Sequence, residues 1–243
     1  MEPIKEGELI RAGKWTIPVL YADNHLLYVR KPYNMPVQAD SSGDTDLLSA
    51  CKEYIGMRMQ KPGNVYLGMV HRLDRPVGGT IVFARTSKAA ARLSEAFRKH
   101  SLEKIYLAVG QGECRQKLVL HDYLRKDEKT GLVKISDGDQ PDAKEAKLVA
   151  EPLSSAQGYT LFRVFLETGR QHQIRVQMCG AGYPLYGDAR YGSGKPGEQI
   201  ALWAYSLILE HPTLKKRLNV SSFPPDEGIW RAFTEKLEYL KQE

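Results

Sequence analysis

The 243-residue chain predicts an α+β fold, a central mixed and largely antiparallel sheet flanked by helices and loops. Two observations carry that prediction. Short apolar runs follow one another across brief polar turns, as antiparallel strands do, and the few helical patterns do not alternate with strands as a βαβ chain would. A hydrophobic content of 42%, with 9% aromatic, is enough to build a core of this class. With no internal repeat and no low-complexity linker, the expected organisation is a lead-in over residues 1–18 and a single domain over 19–243 that ends in a helix.

The elements follow in order. Val19-Leu20-Tyr21 and Leu26-Leu27-Tyr28-Val29 are apolar runs split by the turn pair Asp23-Asn24, which predicts a hairpin or bent strand closed by Lys31-Pro32. Tyr33 to Gly43, rich in Pro, Asn, Asp, Ser and Gly, reads as a loop. Thr45 or Asp46 can cap a helix with Leu47, Leu48, Cys51, Tyr54 and Ile55 at helical spacing, stopped by Lys61-Pro62-Gly63-Asn64. A second helix starts at Ser87 and carries Ala90, Leu93, Ala96 and Phe97. Arg98, Lys99 and His100 stand where its dipole favours cations.

Beyond it, Ile105 to Val109 is a strand by composition, and Leu118-Val119-Leu120 and Leu132 to Ile135 flank the polar turn Lys126 to Gly131 as a hairpin. Ala146 to Ala150 and Tyr159 to Glu167 form two further strands, with Phe162, Val164 and Leu166 on one face of the second and Arg163 on the other. Gln171 to Met178 reads as a short helix with Gly180 and Gly182 as its stop. A strand near Ile200 to Leu209 and a terminal helix bearing Trp230, Phe233, Leu237 and Leu240 complete the chain.

Composition narrows the function classes. A net charge of +6 favours a polyanionic partner, ahead of an ordinary mixed-charge enzyme surface. Cys51, Cys114 and Cys179 are odd in number and widely spaced, which suggests reduced cysteines of a cytoplasmic protein and neither a disulfide framework nor a thiolate zinc site. Met1 to Glu6 lacks a basic-then-apolar signal, and no run reaches membrane-span length.

Chemistry is expected first in Val70-His71-Arg72-Leu73-Asp74-Arg75-Pro76-Val77-Gly78-Gly79, a charged, turned loop that feeds the apolar run Thr80 to Ala84. Asp74 between Arg72 and Arg75 would be favoured in its ionised form and could serve as nucleophile or base; the competing reading is a solvated loop carboxylate with local ion pairs. A second segment, Gly169-Arg170-Gln171-His172-Gln173-Ile174-Arg175, places His172 and Arg175 one helical turn apart. That suits phosphate contact or pairing with a buried carboxylate, against the reading of a solvated basic surface. His71, Asp74, His121, Asp122 and His172 lack metal-ligand spacing. Gly192-Ser193-Gly194-Lys195-Pro196-Gly197 has Pro where a phosphate loop needs Ser or Thr, and reads as a flexible loop.

Four ordered motifs, His71-Arg72-Leu73-Asp74, Lys104 to Ala108, Gly169 to Val176 and Tyr183-Pro184-Leu185-Tyr186-Gly187-Asp188, strongly resemble the RluA-type pseudouridine synthases, as does Leu20 to Leu26 with Lys31-Pro32. The resemblance runs from about Val19 to about His211. It implies the pseudouridine synthase catalytic domain, which isomerises uridine in ribosomal or transfer RNA without cofactor or metal, by breaking the N-glycosidic bond, turning the uracil and rejoining it through carbon. Asp74 would be the catalytic aspartate, Tyr106 the tyrosine that packs on the uracil, and Arg175 the arginine that pairs with Asp74, with Arg170 the runner-up or a phosphate contact. Because a stacked uridine is unreachable, the target would be flipped out, with Arg72 filling its place. Leu185 would line the pocket, and His71 and His172 would support the loop and the helix.

The sequence departs from the family where Val77 and Gly78 replace the usual Thr-Ser. It also departs before Val19, where the short lead-in leaves no room for the small N-terminal RNA-binding domain of many relatives. RNA is the expected partner, with no membrane, no obligatory protein partner and a monomeric state; the loops 33–43, 125–138 and 187–199 would choose the RNA. The alternative from another class is a non-catalytic RNA-binding protein that keeps the fold.

Overall fold

The computed structural model describes residues 4–60 and 63–242. The expected helix stop at Lys61-Pro62 therefore lies outside the described residues, as do Met1 to Pro3. In chain order the elements are β1 (Leu9–Ala12), β2 (Trp15–Ala22), β3 (Leu26–Lys31), α1 (Leu47–Arg58), β4 (Gly68–Met69), β5 (Gly78–Ala84) and α2 (Ser87–Arg98). There follow β6 (Glu103–Gln111), β7 (Leu118–Lys126), β8 (Val133–Ser136), β9 (Lys144–Ala156) and β10 (Tyr159–Leu166). The chain then adds α3 (Gln173–Gly180), β11 (Leu202–Glu210), β12 (Arg217–Ser221), a 3-10 turn (Gly228–Phe233) and α4 (Thr234–Leu240). The α+β class is as predicted. Among the described residues, no helix is long and apolar enough to cross a membrane.

The chain forms two compact units, where the sequence suggests a single domain. The first runs up to Glu103 and includes Ala204–Ser222; the second is Lys104–Trp203 together with the segment from Phe223 onward. In the first unit the strand order is β1-β2-β3-β5-β11, with β12 on β11 and β4 on β5. Asp23 fixes the β2–β3 connection, its Oδ1 accepting from the backbone N–H of His25 and Leu26 at 2.7 Å each. All seven residues of β5 are buried, as a central strand requires. Leu26, Tyr28, Val82, Ala84, Ala89, Leu93, Leu207 and Leu209 form the core against α2. Asp46 and Thr86 cap α1 and α2 by accepting from Ser49 and Ala89 N–H, so both predicted helix starts fall where a capping side chain was available.

The lead-in expectation is corrected: residues 9–12 and 15–22 form an antiparallel hairpin that pairs Leu9 with Pro18 and Ala12 with Trp15. Gly13 opens its two-residue turn at φ +57, the conformation that a turn of this length demands. β12, which pairs antiparallel with β11, is also absent from the sequence reading.

In the second unit the order is β6-β10-β9-β7-β8. β9 and β10 join through Gln157-Gly158, both at positive φ, and β9 continues through Ser154-Ser155-Ala156, past the end expected at Ala150. The register slips between Leu161 and Phe162, opposite Ser154 and Pro152, and this bulge lets a strand carry a proline that cannot donate to its ladder. Leu124, Val133, Ala146 and Val176 pack α3 onto the sheet. The expected terminal helix divides: Trp230 and Phe233 lie buried in the 3-10 turn, Leu237 and Leu240 in α4.

Candidate catalytic site

In the first unit, the segment before β5 is an irregular loop. Leu73 and Val77 are buried and anchor it at both sides of half-buried Asp74. The Asp74 carbonyl accepts from the Val77 N–H at 3.0 Å, closing a turn around Arg75-Pro76. Gly79 then enters β5 at φ +122, and a Cβ there would lie 2.6 Å from the Ala204 backbone nitrogen, so no other residue fits. The Val77-Gly78-Gly79 stretch thus seats the loop by burial and close backbone approach.

His71 is built in as a support: its Nε2 accepts from the Val82 N–H at 3.1 Å, and its ring stacks on Phe97 with centroids 4.6 Å apart. Arg75 does not turn toward Asp74. Its guanidinium binds the Asn34 carbonyl at 3.2 Å, Ser42 Oγ at 2.9 Å and the Asp40 and Asp44 carboxylates, tying the Asp74 loop to loop 33–43. Arg72 is exposed and makes no hydrogen bond or ion pair among the described residues.

The cation beneath the loop is Lys31, which the sequence presents only as a strand end. It is fully buried, and its Nζ donates to the carbonyls of Val77 at 2.7 Å, Arg75 at 2.9 Å and Pro32 at 3.1 Å. Burial pushes this ammonium down to about 7, the Asp74 charge opposing the shift and the Arg75 charge reinforcing it. Two of these bonds hold the backbone on both sides of Pro76 and the third ties Nζ to Pro32, so together they fix the direction in which the loop presents Asp74. The signal was Lys-Pro at the end of an otherwise buried strand, where a lysine must find oxygens.

In the second unit, Tyr106 lies on β6 opposite Val164 of β10 and is half-buried. Arg170 donates from Nε to the Glu145 carbonyl at 2.8 Å. Beside it Lys104, lowered to about 8 by burial and then by the Arg170 charge, donates to the Thr168 carbonyl at 2.9 Å. His172 opens α3 in the left-handed region at φ +54, its Nδ1 in a 2.7 Å hydrogen bond with Tyr191 Oη. Gln173 is buried behind it, accepting from Thr168 Oγ1 at 2.8 Å and from the Arg170 N–H at 3.0 Å.

Arg175 is buried and clasps Asp188 with two hydrogen bonds, Nε to Oδ2 at 2.8 Å and Nη2 to Oδ1 at 2.7 Å, with its guanidinium over the Tyr191 ring. Burial acts to raise the Asp188 carboxyl, but Arg175 and the N–H groups of Arg190 and Tyr191 hold it below the usual carboxylate range. Asp188 is the partner that sequence reasoning missed, although it closes the last of the four motifs. Leu185 is buried and bridges Gly110 of β6.

The remaining candidates have structural partners. His121 pairs with Glu145 at 2.9 Å, and Asp122 accepts from Gln177 Nε2 at 2.7 Å. The glycine-rich loop is not loose: Gly192 and Gly194 N–H groups donate to the Asp188 carbonyl, and a Cβ on Gly194 would lie 2.7 Å from the Asp188 nitrogen. Its glycines therefore permit backbone to pack on the Asp188 turn, which corrects the expectation of a flexible loop.

The RNA pseudouridylate synthase family matches residues 25–179, a span that contains both the Asp74 loop and the Arg175 helix. This chain belongs to that family. It is 31% identical over 86% of its length, and 70% of the relative's, to the "Uncharacterized RNA pseudouridine synthase YhcT" of Bacillus subtilis. With the "Ribosomal large subunit pseudouridine synthase C" of Escherichia coli strain K12 it shares 31% over 88% of its length and 68% of the relative's. A "tRNA pseudouridine synthase C" of Vibrio parahaemolyticus is 27% identical over 92% of this chain and 96% of its own. In fold it resembles the solved "Human RNA Pseudouridylate Synthase Domain Containing 4", with a TM-score of 0.70, 24% identity and 92% of each chain covered. The pseudouridine synthase described here is thus an RNA-modifying isomerase of the RluA type.

Proposed function

We propose that this synthase converts specific uridines of ribosomal or transfer RNA to pseudouridine, with Asp74 acting as nucleophile or base on a flipped-out uridine. The observation that carries the reading is the Asp74 loop, whose backbone is held by Lys31 and whose entry into β5 is fixed by Gly79. Such positioning is what a carboxylate needs if it is to act on one ribose in one orientation. The two RNA classes come from the names of the relatives, which act on large-subunit ribosomal RNA and on tRNA.

In this reading Tyr106 packs on the uracil, and Arg175 is the arginine that pairs with Asp74. Arg72 takes the place of the extruded base, which costs a few kcal/mol to unstack. Leu185 lines the pocket, Arg170 contacts phosphate, and His71 and His172 hold their elements in place. The protein works as a monomer, and no cofactor or metal enters this scheme.

Pseudouridine mapping of RNA from cells that lack the protein tests the reading. One or more sites should revert to uridine and be restored by wild-type protein but not by Asp74→Asn. Unchanged modification at every site, or full restoration by Asp74→Asn, would overturn it.

A further inference from the structure

Beside Arg170, the second unit carries a cavity of about 990 Å³ walled by the β7–β8 hairpin, the start of β9 and the Gly169–Gln171 turn. Its walls are rich in cations, and the charges do not cancel. Asp127 accepts from the N–H groups of Lys129 at 2.9 Å and Thr130 at 3.1 Å within its own turn, and its charge also acts on Lys134. Glu128 pairs with Lys126 at 3.2 Å, and Arg170 points Nε at the Glu145 carbonyl. Arg125, Lys129, Lys134 and Lys144 are exposed, and among the described residues none has a hydrogen bond or ion pair of its side chain. Asp142 is the remaining acidic group on the wall.

The register sharpens the imbalance. Arg125 of β7 and Lys134 of β8 are direct cross-strand partners and so share one face of the hairpin. Like charges directly opposite destabilise a ladder, by a few tenths of a kcal/mol up to about 1 kcal/mol. A hairpin selected for stability alone would place a carboxylate at one of the two positions. An anion that lies across both strands would relieve the pair beyond what the Asp127 charge near Lys134 supplies, and the open trough suits a continuous chain of charges better than a small enclosed ligand.

We propose that this trough is a docking surface for the phosphodiester backbone of the substrate RNA, contacted through Arg125, Lys129, Lys134 and Lys144. The inference rests on the RNA-modifying reading above and extends it to a surface that reads charge and not sequence. It assigns to the catalytic chain its own grip on RNA, remote in sequence from Asp74.

The test is a triple variant, Arg125→Gln, Lys134→Gln and Lys144→Gln, in the full chain, against a control triple on α2, Lys88→Gln, Arg98→Gln and Lys99→Gln. Urea unfolding should show the trough variant at least as stable as wild type, since a like-charge pair is removed. Binding to bulk tRNA and to a large-subunit ribosomal RNA transcript is then measured from low to high salt. The slope of log K against log salt should fall by about 2, roughly 0.7 per lost phosphate contact. KM should rise about tenfold or more with kcat within about twofold, and the control should match wild type.

A slope and KM equal to wild type, or an equal loss in the control, would overturn the proposal while an active wild type leaves the catalytic reading standing. A wild type that isomerises no transcript yet loses its salt slope in the trough variant would overturn the catalytic reading and keep the surface. Displacement of RNA by polyglutamate at equal charge concentration would mark a general acidic-protein site and overturn the assignment to RNA.

Discussion

Each unit of this synthase buries a cation next to a segment implicated in chemistry, and the two are compensated in opposite ways. Lys31 meets three backbone carbonyls and, among the described residues, no carboxylate within ion-pair distance. Arg175 meets the Asp188 carboxylate in a two-pronged pair that is buried on both sides. A lysine held by neutral oxygens can give up its proton when burial disfavours charge, whereas a guanidinium keeps its charge in any protein environment. The first arrangement makes a loop whose support depends on pH; the second makes a fixed electrostatic pin between α3 and the turn after Leu185.

The sharpest way to break this contrast is Asp188→Asn. It removes the carboxylate that clasps the buried Arg175 guanidinium, and should cost about 3–5 kcal/mol in urea unfolding. Adding Arg175→Met to that variant should recover at least half of the loss, because the stranded charge goes with it; no recovery would mean that Asp188 acts chiefly through the Arg190 and Tyr191 N–H groups.

Gly79→Ala comes next. A methyl group against the Ala204 backbone at positive φ should cost about 2–3 kcal/mol and lower activity by disturbing the loop that carries Asp74. Wild-type kcat in this variant would show that the loop does not need its seat in β5.

Lys31→Met should cost about 1–3 kcal/mol at pH 8, because it strips the donor from buried carbonyls. Its pH signature separates it from the Arg175 pair. In the unfolded chain Lys31 binds its proton up to the ordinary 10.5, whereas the folded chain releases it at about 7. Between those values the unfolded state holds more protons, so wild-type stability should rise with pH relative to Lys31→Met, by about 1 kcal/mol per pH unit. Parallel pH profiles for the two proteins would show that Lys31 keeps its charge. The smallest effect belongs to Tyr28, whose buried hydroxyl has no partner among the described residues. Tyr28→Phe should leave thermal stability unchanged or raise it by about 1 kcal/mol.

What could be read from sequence were features with a local cause. Asp46 stands at the start of α1 and Ser87 at that of α2, Asp23 begins a turn that its own side chain closes, and Gly78-Gly79 open β5, whose buried run is covered on both faces. What escaped were strands too short and too exposed to show a pattern of their own. β1 is four residues with one buried side chain, Ile10, and becomes a strand only because Gly13 folds it onto β2. β12 is likewise defined by its partner β11.

The site divides along the same line. Asp74, Tyr106 and Arg175 are proposed through motifs, whereas the motifs assign no role to the groups that hold the Asp74 loop and clasp Arg175. Lys31 precedes Arg75 and Val77 by more than forty residues, and Asp188 follows Arg175 by thirteen. Neither separation leaves a periodic trace, and both partners became visible only through burial.

The boundary between the units falls inside β11, between Trp203 and Ala204, and this has a consequence for synthesis on the ribosome. The strands β6-β10-β9-β7-β8 of the second unit are contiguous in the chain and can assemble as soon as they emerge. The first unit, although its strands are made earlier, lacks the β11 neighbour of β5 until residues 204–222 have left the tunnel. Loop closure across more than one hundred residues must precede that pairing, so the nascent β5, the most apolar strand of the chain, waits longest for its cover. The first unit is thus completed only when residues 204–222 have been made, and the Asp74 loop waits with β5 for its final support.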